Sequence, residues 1–198
     1  MRAIREDGEA VELDDDGSWK LIQEESRGGE LGFRGVRWGT RPQSAKRREE
    51  TEPSEENQRM LYWTGAWMGT LMCDVVYLYA HDVLVRGKYI IDENWVNENR
   101  YLMEFSTLKN LLATKYGNPV EDLEFWNNDL WRDNYDDWGK AVEQGHLSMY
   151  VTWYSGDTRI ILSLAGEKYT SILAIEYASL KLESLESKLT EASVLDIL

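Results

Sequence analysis

The fold of this chain is decided by residues 147–178, which read LSMYVTWYSGDTRIILSLAGEKYTSILAIEYA. Apolar side chains recur there at every second position, which is the period of a strand with one buried face. The residues that share this face are Met149, Val151, Trp153, Ile160, Leu162 and Leu164. Gly156-Asp157 has the composition of a two-residue hairpin turn, and residues 165–167 mark a second turn. The pattern predicts an antiparallel meander of three strands.

A second stretch, from Met60 to Ile91, is rich in aromatic and β-branched residues and predicts three more strands. Gly69 and the pair His81-Asp82 separate them. A helix is predicted between the two stretches, over Asn99–Tyr116, with Asn99 as its cap. Its apolar residues Tyr101, Phe105, Leu108 and Leu112 follow the helical period, and Gly117 then ends it. Residues 123–126 predict a short strand, followed by a long loop.

The remaining segments predict peripheral elements. Residues 9–22 alternate around Asp16-Gly17 and predict an N-terminal hairpin. Residues 31–38 resemble a short strand, and residues 42–58 are polar and fit either a helix capped by Thr40 or a flexible loop. Residues 180–198 carry a leucine stripe and predict an amphipathic helix that docks on its own domain or on a second copy.

Together these elements predict an α+β fold. A single domain over residues 1–179 would hold an antiparallel sheet of six to eight strands backed by helices, and residues 180–198 would form the separate tail helix. A helix followed by three strands occurs twice in this order. That repetition raises the hypothesis of an αβββ duplication.

Composition excludes several classes of protein. The 198 residues include 42% hydrophobic and 12% aromatic residues, enough to bury a core. The formal charge of −14 repels phosphate backbones, so no nucleic-acid partner is expected. No apolar run reaches the ~18 residues of a membrane span. The sequence as given predicts a cytoplasmic protein, or a periplasmic or secreted one if a leader has been removed.

Residues with catalytic or metal-binding chemistry are sparse. Glu12, Asp14 and Asp16 resemble the opening of a calcium loop, but Gln23 stands where the loop needs a bidentate Glu. Asp129, Asp133, Asp136 and Asp137 fit a hydrated loop, and two histidines with one cysteine, Cys73, are too few for a zinc site. We therefore predict no catalytic residue, metal or cofactor.

Aromatic residues on the predicted strands are the most informative feature. Strand alternation places some of them on the sheet face that helices leave open, where an apolar patch marks a binding surface. The alternative is ordinary core packing. The candidate binding residues are Trp63, Trp67, Tyr77, Tyr79, Tyr150, Trp153 and Tyr154.

Four segments resemble a group of uncharacterised bacterial proteins that carry the motif FRG-x-x-WG before a short helix. They are FRGVRWG at residues 33–39, LLATKYGNP at 111–119, the stretch 153–164 and the opening 7–19. The resemblance spans residues 7–178. Such chains are similar in layout to a two-layer α+β class that includes small outer-membrane-assembly lipoproteins and β-lactamase-inhibitor proteins. It implies a helix-backed antiparallel sheet that binds other proteins, and no catalytic residues.

The expected function is therefore a non-enzymatic binding or structural module that contacts a protein through an open aromatic sheet face. The alternative is an enzyme that acts on a polar or cationic small molecule in an acidic pocket. The partner would be an unknown protein, or a second copy bound through residues 180–198.

Overall fold

The computed structural model describes residues 2–4, 10–13, 19–21 and 32–185 of the chain. Three short strands at the N-terminus, β1 (Arg2–Ile4), β2 (Ala10–Leu13) and β3 (Trp19–Leu21), form an antiparallel sheet in that order. Val11 pairs with Leu21, but residues 14–18 lie outside the described residues. The hairpin with its turn therefore stays a prediction, as does the tail helix beyond residue 185.

Eight further strands form one antiparallel sheet, which confirms the predicted α+β class. They are β4 (Glu55–Asn57), β5 (Met60–Met68), β6 (Leu71–Ala80), β7 (Val83–Ile91), β8 (Glu121–Trp126), β9 (Leu147–Ser155), β10 (Thr158–Glu167) and β11 (Thr170–Ser179). The helices are α1 (Pro42–Glu49), α2 (Asn99–Tyr116) and α3 (Trp138–Glu143), with a 3-10 turn at Tyr135–Asp137.

The strand order β4-β5-β6-β7-β11-β10-β9-β8 reverses at its centre. Strands β4 to β7 form one meander after α1, and β8 to β11 form a second one after α2. The meanders join where β7 pairs with β11, with Tyr89 opposite Ile175. Each half thus runs from a helix through four strands, and an origin by duplication stays a prediction.

Helices α1, α2 and α3 cover the same face of the sheet. Over the second meander, α2 and α3 bury Phe105, Leu112 and Val142 against strands β9 to β11. Over the first meander, Ala45 of α1 packs on Val75 and Tyr77 of β6, together with Phe33 and Val36 from the turn that precedes the helix. Because Cys73 and Val75 are alternate residues of β6, the two clusters lie on one side, here called the covered face.

The covered face explains the helix predictions. Tyr101, Phe105, Leu108 and Leu112 are all buried, so Asn99–Tyr116 was predicted with the correct bounds and inward stripe. Gly117, at φ 85°, ends the helix as expected. The cap is different: Glu98 occupies the N-cap position, and the Asn99 side chain instead accepts a hydrogen bond from the Gly139 amide at 2.8 Å. Asn99 thereby fixes α3 against α2.

Four further local predictions were wrong. Of the strand predicted over residues 31–38, the described residues 32–38 form none, because Phe33 and Val36 close a tight turn through left-handed Arg34 and Gly35. Thr40 does not cap α1, since its hydroxyl donates to the Arg37 carbonyl at 2.8 Å. Residues 165–167 belong to β10, and the turn is Lys168-Tyr169. The predicted loop after β8 contains α3, whose six residues are too short to show a helical period.

Candidate functional site

The face of the main sheet opposite the helices, called the open face, carries the alternate residues of every strand. Both buried clusters of the described residues lie on the other side, so no described helix packs here. Its centre is charged: Glu176 of β11 accepts from Arg86 at 2.7 Å and pairs with Lys88 at 2.6 Å. Beside these pairs, the Tyr62 hydroxyl donates to Asp74. Burial, and then this bond, raise the pKa of Tyr62.

Three of the seven predicted binding residues lie on the open face. Trp67 is 67% exposed and stands opposite Met72, while Tyr154 is 49% exposed and stands opposite Arg159. Tyr150 is half-buried between Ser163 on one side and Leu123 on the other.

The other four predicted residues are in the core of the covered face. Trp63, Tyr77, Tyr79 and Trp153 are at most 6% exposed, so they cannot contact a partner in the folded chain. Their positions follow from strand alternation: Trp63 pairs with Val75, which points to the helices, while Trp67 lies beyond a bulge after Trp63. Aromatic content predicted the strands correctly, but composition alone did not assign each ring to a face.

Along one edge of the open face lie four large side chains that we call the edge patch. Leu123 and Phe125 of β8 adjoin Tyr150 of β9, and Tyr154 lies on the same face four residues farther along β9. The rings of Phe125 and Tyr150 meet edge to face with centroids 5.8 Å apart. Phe125 is 50% and Leu123 41% exposed. Among the described strands only β9 pairs with β8, so the patch borders a free sheet edge.

The FRGVRWG motif of residues 33–39 builds core structure. Arg34 donates two hydrogen bonds to Glu49, at 2.6 and 2.8 Å, and the Tyr77 hydroxyl donates to the same carboxylate. Burial and the bond to Glu49 raise the pKa of Tyr77. Trp38 donates from Nε1 to the Thr158 hydroxyl at 2.8 Å. The motif thus ties the Phe33–Val36 turn and α1 to the sheet.

Nucleophiles and metal ligands do not assemble into a site within the described part of the chain. Cys73 is fully buried, and burial raises the pKa of its thiol to about 11. His146 stacks on Trp131 at 4.8 Å, whereas His81 is in an exposed turn. Asp129 pairs with Arg132, and Asp137 with Lys140. In residues 32–185 no group of three His, Cys, Asp or Glu side chains could hold a metal ion.

A cleft of about 570 Å³ opens where β7 ends and β11 begins, beside the N-terminus of α2. Four carboxylate residues line it, namely Asp92, Glu93, Glu98 and Glu143. Three aromatic residues line it as well: Trp95, Tyr101 and Tyr169. Sequence reasoning missed these positions because they come from two loops and two helices. The segment Asp92–Glu93–Asn94–Trp95 places two carboxylates next to a tryptophan, and this was the sequence feature that could have indicated the cleft.

The cleft walls are fixed by hydrogen bonds. The Tyr101 hydroxyl donates to the Glu93 carbonyl at 2.7 Å, and the Glu93 carboxylate accepts from the Met72 amide at 3.1 Å. The rings of Tyr101 and Trp95 pack edge to face at 4.7 Å. Burial raises the pKa of Tyr101, so its ring stays neutral. The loop from Asp92 to Glu98 is therefore held in a defined shape.

Comparisons with protein-family models, with curated proteins and with solved structures found no match to this chain. Among the described residues, no helix combines the length and the apolar character needed to cross a membrane. The geometry of the open face and of the cleft is therefore what bears on the function of this chain.

Proposed function

We propose that this chain is a non-enzymatic protein-binding module whose partner contacts the edge patch on the open face. The observation that carries the proposal is the exposure of Phe125 and Tyr154, at 50% and 49%, on a sheet face without a described helix. Large aromatic side chains held at a surface are the usual energetic centres of protein interfaces. Membership in the FRG-x-x-WG group, with its two-layer protein-binding layout, is part of this proposal.

The partner's chemistry follows from the charge around the patch. Glu121 of β8 lies on the same face as Leu123 and Phe125, and the whole chain has a net charge of −14. A partner with apolar side chains flanked by lysine or arginine would bury the patch and pair with Glu121. An extended segment suits the site best, because it could add main-chain hydrogen bonds along the free edge of β8.

Site-specific photo-crosslinking tests the proposal. A photoreactive phenylalanine analogue replaces Phe125 or Tyr154 in the full chain, which is then irradiated in lysate of the organism that encodes it. The matched control places the analogue at Met103 or Leu111, which are 60% and 62% exposed on α2. We expect one discrete adduct from the edge patch and none from α2. Equal labelling from both surfaces would exclude a specific patch.

A pair of double variants completes the test. Phe125→Ser with Tyr154→Ser should abolish capture of the adduct protein, while Met103→Ser with Leu111→Ser should not change it. Exposed positions tolerate such changes, so both variants should melt close to the parent chain. An adduct of twice the chain's own mass would show that the partner is a second copy of this chain and not a different protein.

A further inference from the structure

From the cleft beside the N-terminus of α2, we infer a second binding site, specific for an organic cation, that is, an ammonium or guanidinium group on an alkyl chain. The site is separate from the edge patch and does not rest on the proposed function. Its volume of about 570 Å³ lies within the usual range of small-molecule sites. The lining residues include no Lys, Arg or His, although the chain contains 22 Lys and Arg residues.

The carboxylates give the cleft its sign. Glu93, Glu98 and Glu143 are partly buried and Asp92 is exposed, so a ligand would meet negative charge at the mouth and along the wall. These groups come from the β7–α2 loop and from α3. No three of them converge closely enough for a metal ion, since the described residues contain no such group. Spread carboxylates suit an extended organic cation better than a compact inorganic one.

The aromatic rings select the same class of ligand. The ring quadrupole attracts an ammonium or guanidinium group placed over its face, and tryptophan is the strongest of the aromatic residues in this respect. Trp95 already has the Arg100 guanidinium at 5.9 Å from its ring centroid. Arg100 in turn is held by Glu104 at 2.8 Å. The Trp95 ring is thus used for a cation contact within the chain itself, and a ligand would contact its other surfaces.

A buried hydroxyl in the cleft wall provides an independent sign of a ligand. Ser171 lines the cleft and is only 9% exposed, yet its Oγ has no hydrogen-bond partner in the described structure. A buried polar group without a partner costs free energy, so such groups in native proteins call for an explanation. The Oγ itself is closed to solvent, so a ligand N–H would supply the missing partner once the cleft wall adjusts around the ligand.

The turn that carries Tyr169 also fits a binding role. Lys168 and Tyr169 have φ values of 51° and 60°, a left-handed backbone conformation that residues other than Gly, Asn and Asp rarely adopt. Tyr169 is 78% exposed, so core packing does not account for it. Gly would relieve the strain at this position, but it has no side chain. The Tyr169 ring at the cleft can contact a ligand, which explains why a strained residue stands there.

Calorimetric titration of the full chain tests the inference with two probes, spermidine and a capped trilysine peptide. Spermidine acetylated on its nitrogens, which lacks the charges, is the control ligand. We expect saturable binding at one site by at least one charged probe. If only the peptide binds, the natural source of the cation is a protein chain, and if spermidine binds, it is a small amine; both results support the site. Saturation by neither charged probe would overturn it.

Matched variants locate the binding. Glu98→Gln with Glu143→Gln should weaken binding about tenfold, because two favourable charge contacts are lost. The control, Glu121→Gln with Glu124→Gln on β8, removes the same charge elsewhere and should alter affinity less than about twofold. Equal losses in the two pairs would reduce the effect to nonspecific attraction and refute the site.

Aromatic variants keep the test valid even if the carboxylate pair perturbs folding. Tyr169→Ser changes an exposed turn residue and should weaken binding roughly threefold. Tyr154→Ser on the open face is the matched control and should leave cation binding unchanged. An unchanged affinity in Tyr169→Ser, together with a loss in Tyr154→Ser, would move the site to the open face and contradict the inference.

Discussion

The ring of Phe33 occupies the space that a side chain at residue 87 would need. A Cβ atom on Gly87 would lie 2.2 Å from Cγ and Cδ1 of Phe33, far inside van der Waals contact. Phe33 is 1% exposed, and its centroid lies 5.1 Å from that of Tyr77 and 4.9 Å from that of Tyr89. The glycine in the middle of β7 therefore admits the motif's phenylalanine into the aromatic core of the covered face.

Gly87→Ala should destabilise the fold by roughly 1–3 kcal/mol, because the added methyl group overpacks a closed core. Urea unfolding followed by circular dichroism measures the effect. Combining the change with Phe33→Leu should restore part of the loss, since the smaller side chain leaves room for the methyl group. Additive losses in the double variant would show that the two residues do not compete for one space.

Glu49 is the second point at which the motif is attached. Its carboxylate is 9% exposed and receives hydrogen bonds from Arg34 and Tyr77. Glu49→Gln should destabilise the chain by roughly 3 kcal/mol, because it leaves the half-buried Arg34 guanidinium without its counter-charge. Glu56→Gln is the matched control, since Glu56 pairs with Lys46 at the surface, and it should cost less than about 1 kcal/mol. Equal costs for the two variants would contradict a structural role for the Glu49 network.

Strand alternation and helix periodicity were enough to predict most of the fold. The meander at residues 147–178, the three strands between Met60 and Ile91, and the helix Asn99–Tyr116 are local patterns that tertiary packing only reinforces. Gly69 and His81-Asp82 mark the turns because both allow the left-handed backbone.

The rest depended on contacts between distant residues. Nothing local in FRGVRWG shows that Phe33 inserts above Gly87, so the motif resembled a strand although it forms a turn. The cleft could not be predicted because Glu98, Glu143 and Tyr169 come together only when α2, α3 and the β10–β11 turn meet. The faces of Trp63 and Trp67 depend on a feature of the same kind: the bulge between Trp63 and Ala66 puts these two residues, an even number of positions apart, on opposite faces of the sheet.

Alkaline pH should destabilise the fold, because buried thiol and phenol groups must then lose a proton. Burial raises the pKa of the Cys73 thiol from 9.0 to about 11, and burial also raises the pKa values of Tyr77 and Tyr79 from 10.0. A group with a raised folded pKa stabilises the native state fully below its unfolded pKa and loses that contribution as pH rises through the folded value. Stability should therefore be constant up to about pH 9 and decline above it.

Thermal melts of the parent chain and of Cys73→Ala across this range check the prediction. Removing the thiol should shift the onset of the decline from about pH 9 to about pH 10, where unfolded tyrosine begins to ionise. Below that range the two curves should run parallel, offset by the packing change alone. The same onset in both proteins would mean that Cys73 does not contribute to the pH dependence.

Two hairpin turns share one strained geometry but differ in their surroundings. His81-Asp82 joins β6 to β7 and Lys168-Tyr169 joins β10 to β11, and all four residues have φ between 50° and 62°. Replacing either pair by Asn-Gly should stabilise the fold, because those residues accept the left-handed backbone at little cost. We expect about 1–2 kcal/mol at Lys168-Tyr169, and less at His81-Asp82, since Asp already tolerates this conformation.

The two replacements should differ in their effect on ligand binding. Asn-Gly at residues 168–169 removes the Tyr169 ring from the cleft, so it should raise the melting temperature while weakening binding of the charged probe. Asn-Gly at residues 81–82 should raise the melting temperature and leave binding unchanged, because that turn does not line the cleft. A stabilised 168–169 variant that binds as tightly as the parent would show that the strained turn serves no ligand. Opposite signs for stability and affinity at one turn only would tie the strain to the cation site.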